Sequence, residues 1–169
     1  MGEPLADQVL RKIGEARELY HRLILMVGPA GSGKTTALQE VSASTSAPLV
    51  NVNLELSRRL LDLTERQRAL QAKRLLEDIV GEATGDLPAA TRAAQAGLVL
   101  LDNIEILFDV HLKQDPLRLL RGLSRNKTVV AAWNGSIVDG HITYAAADHP
   151  EDRRYPIRDF LVASPEVTT

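Results

Sequence analysis

The chain of 169 residues contains no cysteine, which excludes disulfides, cysteine-based zinc sites and thiol nucleophiles. Aromatic residues make up only 4% of the chain, so a core must be built mainly from aliphatic side chains. No apolar run reaches the ~20 residues that a membrane-spanning helix needs. The first residues have neither the basic nor the apolar segment of a signal peptide. We therefore expect a cytoplasmic protein with no membrane segment.

The chain also lacks an excess of charge of one sign. Its 20 basic and 22 acidic residues are mixed and give a formal net charge of -2. Strong non-specific binding to nucleic acid normally needs a basic surface. The balanced charge therefore does not indicate DNA contact, although it does not exclude it. Residues 58–74 are rich in arginine but interleaved with acids, which favours an ordinary solvated helix face over a nucleic-acid groove.

Apolar periodicity predicts one domain over residues 1–169 in which helices alternate with strands. Helices are predicted within residues 1–21, at 35–41, on both sides of Thr64, where a capping box divides two helices, and at 112–123. The predicted strands are residues 23–27, 48–53, 97–102, 128–133 and 160–163. Residues 81–97 are expected to form a surface excursion, and residues 136–158 a hairpin and the segment before the last strand. The order indicates an α/β fold of three layers with a mainly parallel five-stranded sheet.

A glycine-rich segment follows the first predicted strand. Its residues are Gly28, Pro29, Ala30, Gly31, Ser32, Gly33, Lys34 and Thr35. They match the P-loop pattern G-x-x-x-x-G-K-[ST], with a strand before and a helix after, as the motif requires. Backbone N–H groups of such a loop and the helix N-terminus attract phosphate oxygens, which predicts a site for ATP. Lys34 should reach the β- and γ-phosphates, Thr35 should bind Mg²⁺, and Thr36 completes the nucleotide-binding set.

Asp102 ends the apolar strand at residues 98–101, where P-loop proteins carry the acid that positions Mg²⁺. The alternative is an aspartate that caps the following helix. Asp102 lies far downstream of the loop, with a predicted strand between them. This separation indicates the division of P-loop proteins that has an additional strand.

Two glutamates are candidates for the catalytic base. Many ATPases of this division carry glutamate directly after the aspartate, but Asn103 stands there. Glu105 and Glu55 could each orient the attacking water, and each could equally be a solvated surface residue. The departure at Asn103 predicts slow hydrolysis.

Asn134 ends the fourth predicted strand, where a sensor residue would lie beside the γ-phosphate. Asn134-Gly135 is also a strong turn dipeptide, and the two interpretations are compatible. If ATP is hydrolysed between subunits, an arginine must reach the site from a neighbour. The first candidates are Arg153 and Arg154, followed by Arg121 and Arg125. Each of them could instead be a surface charge.

Five stretches carry a further likeness, at residues 20–23, 28–35, 51–60, 101–108 and 130–135. In these stretches the chain resembles BrxF, the family of small P-loop proteins encoded in type 3 BREX bacteriophage-defence islands. The loop itself is shared by a vast superfamily, whereas residues 51–60 and the stretch around Trp133 are more particular. The resemblance implies an ATP-binding accessory protein in a multi-protein system that marks host DNA by methylation and blocks phage replication.

Together the motifs predict an AAA+-like core, and the chain stops too soon after the last strand to include a C-terminal helical lid. Modest nucleotide affinity and slow turnover are therefore expected. The leading hypothesis is a Mg-dependent ATPase or ATP-driven switch that acts as a homo-oligomer or with other BREX proteins. A non-hydrolysing adaptor is an alternative. A small-molecule or nucleotide kinase is another, which would need an acceptor pocket and a mobile lid.

Overall fold

A computed structural model describes residues 4–85, 97–125, 127–144 and 154–164. The strands are β1 (Leu23–Gly28), β2 (Leu49–Asn51), β3 (Leu98–Asp102), β4 (Thr128–Val138), β5 (His141–Tyr144), β6 (Arg154–Pro156) and β7 (Leu161–Ala163). The helices are α1 (Leu5–Ala16), α2 (Lys34–Thr45), α3 (Val52–Leu60), α4 (Glu65–Gly85) and α5 (Pro116–Leu123). Two short 3₁₀ turns, Glu105–Phe108 and Val110–Leu112, lie between β3 and α5. No helix in these described ranges has the length and apolarity that a bilayer span requires.

Five strands form the parallel part of the sheet, in the order β2-β3-β4-β1-β7. The predicted five-stranded parallel sheet is therefore confirmed. All six residues of β1 are buried, which explains its continuous apolar sequence, because parallel strands are covered on both faces. The loop strand β1 and the aspartate strand β3 are separated by β4, so the additional-strand arrangement is also present.

Helices cover both faces of this sheet and give the three layers that the sequence predicts. Alternate residues of β1 point to opposite faces, so Leu23 and Leu25 belong to one apolar core and Ile24 and Met26 to the other. Helices α3, α4 and α5 pack into the first core, and α1 and α2 into the second. Both faces of the sheet are thus covered by helices, and the loops that follow the strands lie at its carboxyl edge.

Strand β4 is longer than predicted and continues beyond Asn134 into an antiparallel hairpin. The turn at Asp139 and Gly140 joins it to β5, which also pairs with β6. The hairpin packs on the α3–α5 face, since Ile142 is buried in the same core as Trp133. The Trp133 indole Nε1 donates a hydrogen bond to the Thr143 carbonyl at 3.1 Å. These contacts fasten the hairpin to the parallel sheet.

Several predicted boundaries are wrong because a side chain caps a helix earlier or later than periodicity suggests. Strand β2 ends at Asn51, two residues before the predicted strand end. The Asn51 side chain accepts a hydrogen bond from the Leu54 N–H and caps α3, which starts at Val52. Helix α5 starts at Pro116, because the Asp115 carboxylate accepts from the N–H groups that follow it. The predicted start at residue 112 lies in a 3₁₀ turn.

Two other ends differ from the sequence prediction. Helix α1 stops at Ala16 and does not extend to residue 20. Helix α4 continues to Gly85, so the excursion expected from residue 81 starts as helix, and residues 86–96 lie outside the described chain. The predicted division at Thr64 is confirmed by reciprocal hydrogen bonds between Thr64 and Gln67, at 2.9 and 3.2 Å.

Replacing Gly135 by alanine should destabilise the fold. A Cβ at Gly135 would overlap the backbone carbonyl of Thr143 in the neighbouring strand. Overpacking of this kind costs about 1–3 kcal/mol, and here the obstacle is backbone. Urea unfolding should show this loss, whereas Gly81→Ala on α4, where a Cβ meets nothing within 4 Å, should add about 0.5–1 kcal/mol. Equal stability of the two variants would contradict the tight β4–β5 contact.

Candidate functional site

A cleft of about 350 Å³ opens at the carboxyl edge of the parallel sheet, beside the loop between β1 and α2. Strands β1 and β3 end at this edge, and the parallel pairing of β4 ends there at Asn134, which brings residues from distant parts of the chain together. The lining residues are Ala30, Gly31, Gly33, Lys34, Thr35, Thr36, Asp102, Asn103, Glu105, Ala132 and Asn134. Most of the residues proposed from the sequence therefore meet in one place.

The loop adopts its curved path because two of its glycines have positive φ angles. Gly31 and Gly33 have φ values of 79° and 94°, a region that other residues rarely enter. Gly33 is the N-cap of α2, and its carbonyl accepts the first helical hydrogen bond from the Ala37 N–H at 3.0 Å. The N–H groups of the first helical turn have no partners within the helix, so this end can accept an anion.

The Lys34 ammonium is held inside the loop. Its Nζ donates to the carbonyls of Gly28 and Pro29 at 2.8 and 2.7 Å, and to the Ser32 Oγ at 3.3 Å. Only 6% of Lys34 is exposed, and burial lowers its pKa below 10.5, partly opposed by the negative charges of Asp102 and Glu105. A phosphate group in the cleft would add a further charged acceptor and favour the protonated form.

Thr35 and Asp102, the two metal ligands proposed from the sequence, lie in direct contact. The Thr35 hydroxyl donates to Asp102 Oδ2 at 2.7 Å, and the backbone N–H of Asn103 donates to Oδ1 at 2.9 Å. Hard oxygen ligands of this kind suit Mg²⁺, which usually takes one or two protein ligands and completes its shell with phosphate and water. Within the described ranges no group of three or more His, Cys, Asp or Glu residues could hold a metal alone. The pair thus fits a Mg²⁺ ion that arrives with a nucleotide.

The Glu105 carboxylate accepts hydrogen bonds from two asparagine side chains. Asn134 Nδ2 donates to Glu105 Oε1 at 2.8 Å, and Asn53 Nδ2 donates to Oε2 at 3.3 Å. Asn103 makes this possible, because its left-handed conformation at φ 51° ends β3 and starts the 3₁₀ turn at Glu105. Asparagine adopts that conformation more readily than most residues. A glutamate two positions beyond the expected place is therefore brought into the cleft.

Asn53 is the residue of this site to which the sequence prediction assigns no role. Its backbone N–H donates to the Asn103 carbonyl at 2.8 Å, and its Oδ1 accepts from the Ile106 N–H at 2.8 Å. It thereby joins the start of α3 to both ends of the segment that carries Glu105. The only sequence signal is an asparagine at the end of a strand, which by itself does not distinguish a site residue from a turn.

The other proposed residues lie outside the cleft. Glu55 is 3.5 Å from the Arg58 guanidinium and lines a separate surface cavity beside β2. Arg154 is exposed at the start of β6, and neither Arg121 nor Arg125 lines the cleft. Arg153 is outside the described residues. Of the two candidate bases, the tertiary structure brings only Glu105 to the loop.

Residues 24–125 match the model of a known family, the ATPase family associated with various cellular activities (AAA). The match covers more than half of the 169 residues and includes the loop, Asp102 and Glu105. The chain belongs to the AAA family of ATPases. Strand β4, which carries Asn134, follows the matched residues in this AAA domain.

Two solved structures are similar to this AAA chain over 95% of its length. One is the structure of Drosophila ORC bound to DNA, with 18% sequence identity, a TM-score of 0.43 and 42% of that chain covered. The other is C. elegans PCH-2, with 17% identity, a TM-score of 0.40 and 39% of that chain covered. The present chain thus spans about two fifths of the length of each.

Proposed function

We propose that this AAA protein binds ATP with Mg²⁺ and hydrolyses it slowly, with Glu105 as the base. The observation that carries the proposal is the Glu105 carboxylate, which lines the same cleft as Lys34 and Thr35 and is held by two amide groups. Membership of the AAA family supports a nucleotide as the ligand of that cleft.

The loop binds the phosphates through its backbone N–H groups and the Lys34 ammonium. Thr35 and Asp102 would hold Mg²⁺, which would neutralise part of the phosphate charge. The Thr35 hydroxyl donates its proton to Asp102 at 2.7 Å and keeps oxygen lone pairs with which it could bind the ion.

Glu105 orients the attacking water and accepts its proton as the bond from the water oxygen to the γ-phosphorus forms. The bond from the γ-phosphorus to the bridging oxygen breaks in the same displacement, and ADP leaves with that oxygen. Each carboxylate oxygen receives one amide hydrogen bond and keeps lone pairs for the water. These two bonds hold the carboxylate in a fixed position from which it can orient the water. The Asn134 amide has a second N–H, which can contact the γ-phosphate.

Glu105→Gln should abolish most ATP hydrolysis while ATP binding remains. The amide keeps the shape of the side chain but cannot accept the proton, and a general base typically contributes about 10²–10⁴ in rate. Phosphate release and ATP affinity are measured side by side. The matched control is Glu55→Gln, which makes the same change outside the cleft and should leave the rate unchanged. A full loss in Glu55→Gln with normal turnover in Glu105→Gln would reverse the assignment.

Lys34→Ala should abolish ATP binding, because it removes the buried ammonium of the loop. Calorimetric titration with Mg-ATP measures the effect, and circular dichroism checks that the variant is folded. Lys12→Ala on α1, outside the cleft, should bind ATP as the unchanged protein does. Retained affinity in Lys34→Ala would contradict the site itself.

A homo-oligomer would complete the site. No arginine lines the cleft within the described ranges, although stabilisation of the transferred phosphate commonly needs one from a neighbouring subunit. Arg154 is exposed on β6 and is free to enter a second copy, and Arg153 precedes it in the sequence. We assign the finger to this pair.

Specific ATPase activity should rise with protein concentration, since each site would need an arginine from a neighbouring subunit. Arg154→Ala should lower the rate by about 10³ or more. Mixing Arg154→Ala with Lys34→Ala should restore part of the activity, because the second variant supplies the arginine that the first lacks. No recovery in the mixture, with a rate per molecule that is independent of concentration, would contradict shared sites.

The resemblance to BrxF supports a role as an accessory component of a BREX phage-defence complex, with other BREX proteins as partners. The stretches that carry it include residues 51–60 and 101–108, which contain Asn53, Asp102 and Glu105. The nucleotide site and the residues shared with that family therefore coincide. Phage plating on cells that carry the Lys34→Ala variant tests this role.

A further inference from the structure

Basic residues from separate segments meet at the amino edge of the parallel sheet, opposite the ATP cleft. Strands β1 and β4 are neighbours, with Leu23 beside Val129, so the residues that precede them share this edge. The Arg22 N–H donates to the Ser124 carbonyl at 3.0 Å, and the Arg22 carbonyl accepts from the Val129 N–H at 2.8 Å. The chain before β1 is thus tied to the end of α5 and the start of β4.

Helices α4 and α5 add further cations to the same edge. Lys73 and Arg125 line one pocket of about 330 Å³, together with Glu77 and Gly122. His21 contacts the Arg121 carbonyl through Nδ1 at 3.2 Å, which fixes α5 against the segment before β1. We call this surface the amino-edge patch; its members are Tyr20, Arg22, Lys73, Arg121, Arg125 and Lys127.

The amino-edge patch carries more positive than negative charge, with Glu77 as the acid that lines its pocket. None of its cations forms an ion pair within the described ranges, whereas Arg11, Arg58 and Arg59 each pair with a glutamate. Residues 116–127 contain four basic residues and no acid, in a chain whose net charge is -2. Charge is therefore separated in space although it is balanced in composition.

A helix dipole explains only part of this arrangement. Cations are favoured near the C-terminus of a helix, which accounts for Arg121 in the last turn of α5. Arg22 and Lys73 come from other elements, and Lys127 follows the helix at the start of β4. Their convergence indicates a ligand with repeated negative charges.

Tyr20 places an exposed aromatic ring beside these cations. The chain has three Tyr, two Phe and one Trp, and of these Tyr20 alone is a largely exposed ring, with 70% of the residue accessible. Its ring lies edge to face with His21 at 4.8 Å, and the Arg125 guanidinium is 5.7 Å from its centroid. Proteins that bind single strands combine basic grooves with aromatic rings on which unpaired bases stack.

We propose that the amino-edge patch binds single-stranded nucleic acid, with its cations on the phosphates and Tyr20 stacked on a base. The patch lies at the other end of the sheet from the loop, so this binding does not compete with ATP. It also does not depend on hydrolysis, and the Lys34→Ala variant should bind the strand as the unchanged protein does.

The test is fluorescence anisotropy of a labelled oligothymidylate of about 16 nucleotides with the full chain, over a range of salt concentrations. Arg125→Gln should weaken binding and reduce the slope of log affinity against log salt by about 0.7. Tyr20→Ala should weaken binding about fivefold or more with little change in slope, and Tyr20→Phe should retain it. Arg66→Gln is the matched control, since it removes an exposed arginine of α4 that is not part of the patch.

Four outcomes would overturn the proposal. The first is an affinity that neither Arg125→Gln nor Tyr20→Ala changes, and the second is an equal loss in Arg66→Gln. The third is a duplex competitor that displaces the label as well as an unlabelled single strand does. The fourth is equal displacement by polyglutamate, which would indicate an acidic protein segment as the occupant. Thermal melting of each variant confirms folding, and both altered patch side chains are exposed.

Discussion

The position of β4 between β1 and β3 is the constraint on which the rest of the structure depends. Its ladder sets Gly28 beside Asn134, and Leu101 beside Ala131, so that loop, aspartate and asparagine end at one edge of the sheet. These strands are buried on both faces, and a slip of one residue would exchange the two apolar cores. The pairing of these strands therefore fixes where the loop after β1 and the turn after β3 begin.

Within the cleft, each functional side chain has a hydrogen-bond partner from the protein, and a ligand could replace that partner. Lys34 is bound by loop carbonyls, Thr35 by Asp102, and Glu105 by two asparagines. The burial of Lys34 disfavours its charge, and the two nearby carboxylates only partly compensate. A bound phosphate would supply the opposite charge beside Lys34. At the amino edge the cations are exposed or half-buried and form no ion pair within the described ranges, so the two ends of one sheet suit two different anions.

Local sequence patterns were sufficient to predict the strands of the sheet and the P-loop, because each of these is specified by residues close together in sequence. The apolar run before Gly28 and the P-loop spacing after it need no distant partner to be recognised. Boundaries were less predictable: Asn51 and Asp115 cap helices with their own side chains, which overrides the apolar period. The longer β4 also escaped prediction, since its continuation depends on Gly135 meeting β5 at close range.

The sequence by itself determined the α/β class, the parallel strands and the phosphate-binding loop, since spacing and hydrophobicity along the chain specify them. Only the tertiary structure decided which glutamate lies in the cleft, because both candidates are glutamates that follow a predicted strand. They differ in their side-chain partners, Arg58 for Glu55 and Asn134 for Glu105. The tertiary structure also revealed Asn53, whose partners lie about fifty residues away along the chain. The basic surface at the amino edge has the same origin. A net charge of -2 conceals it, because folding brings the cations of separate segments to one edge of the sheet.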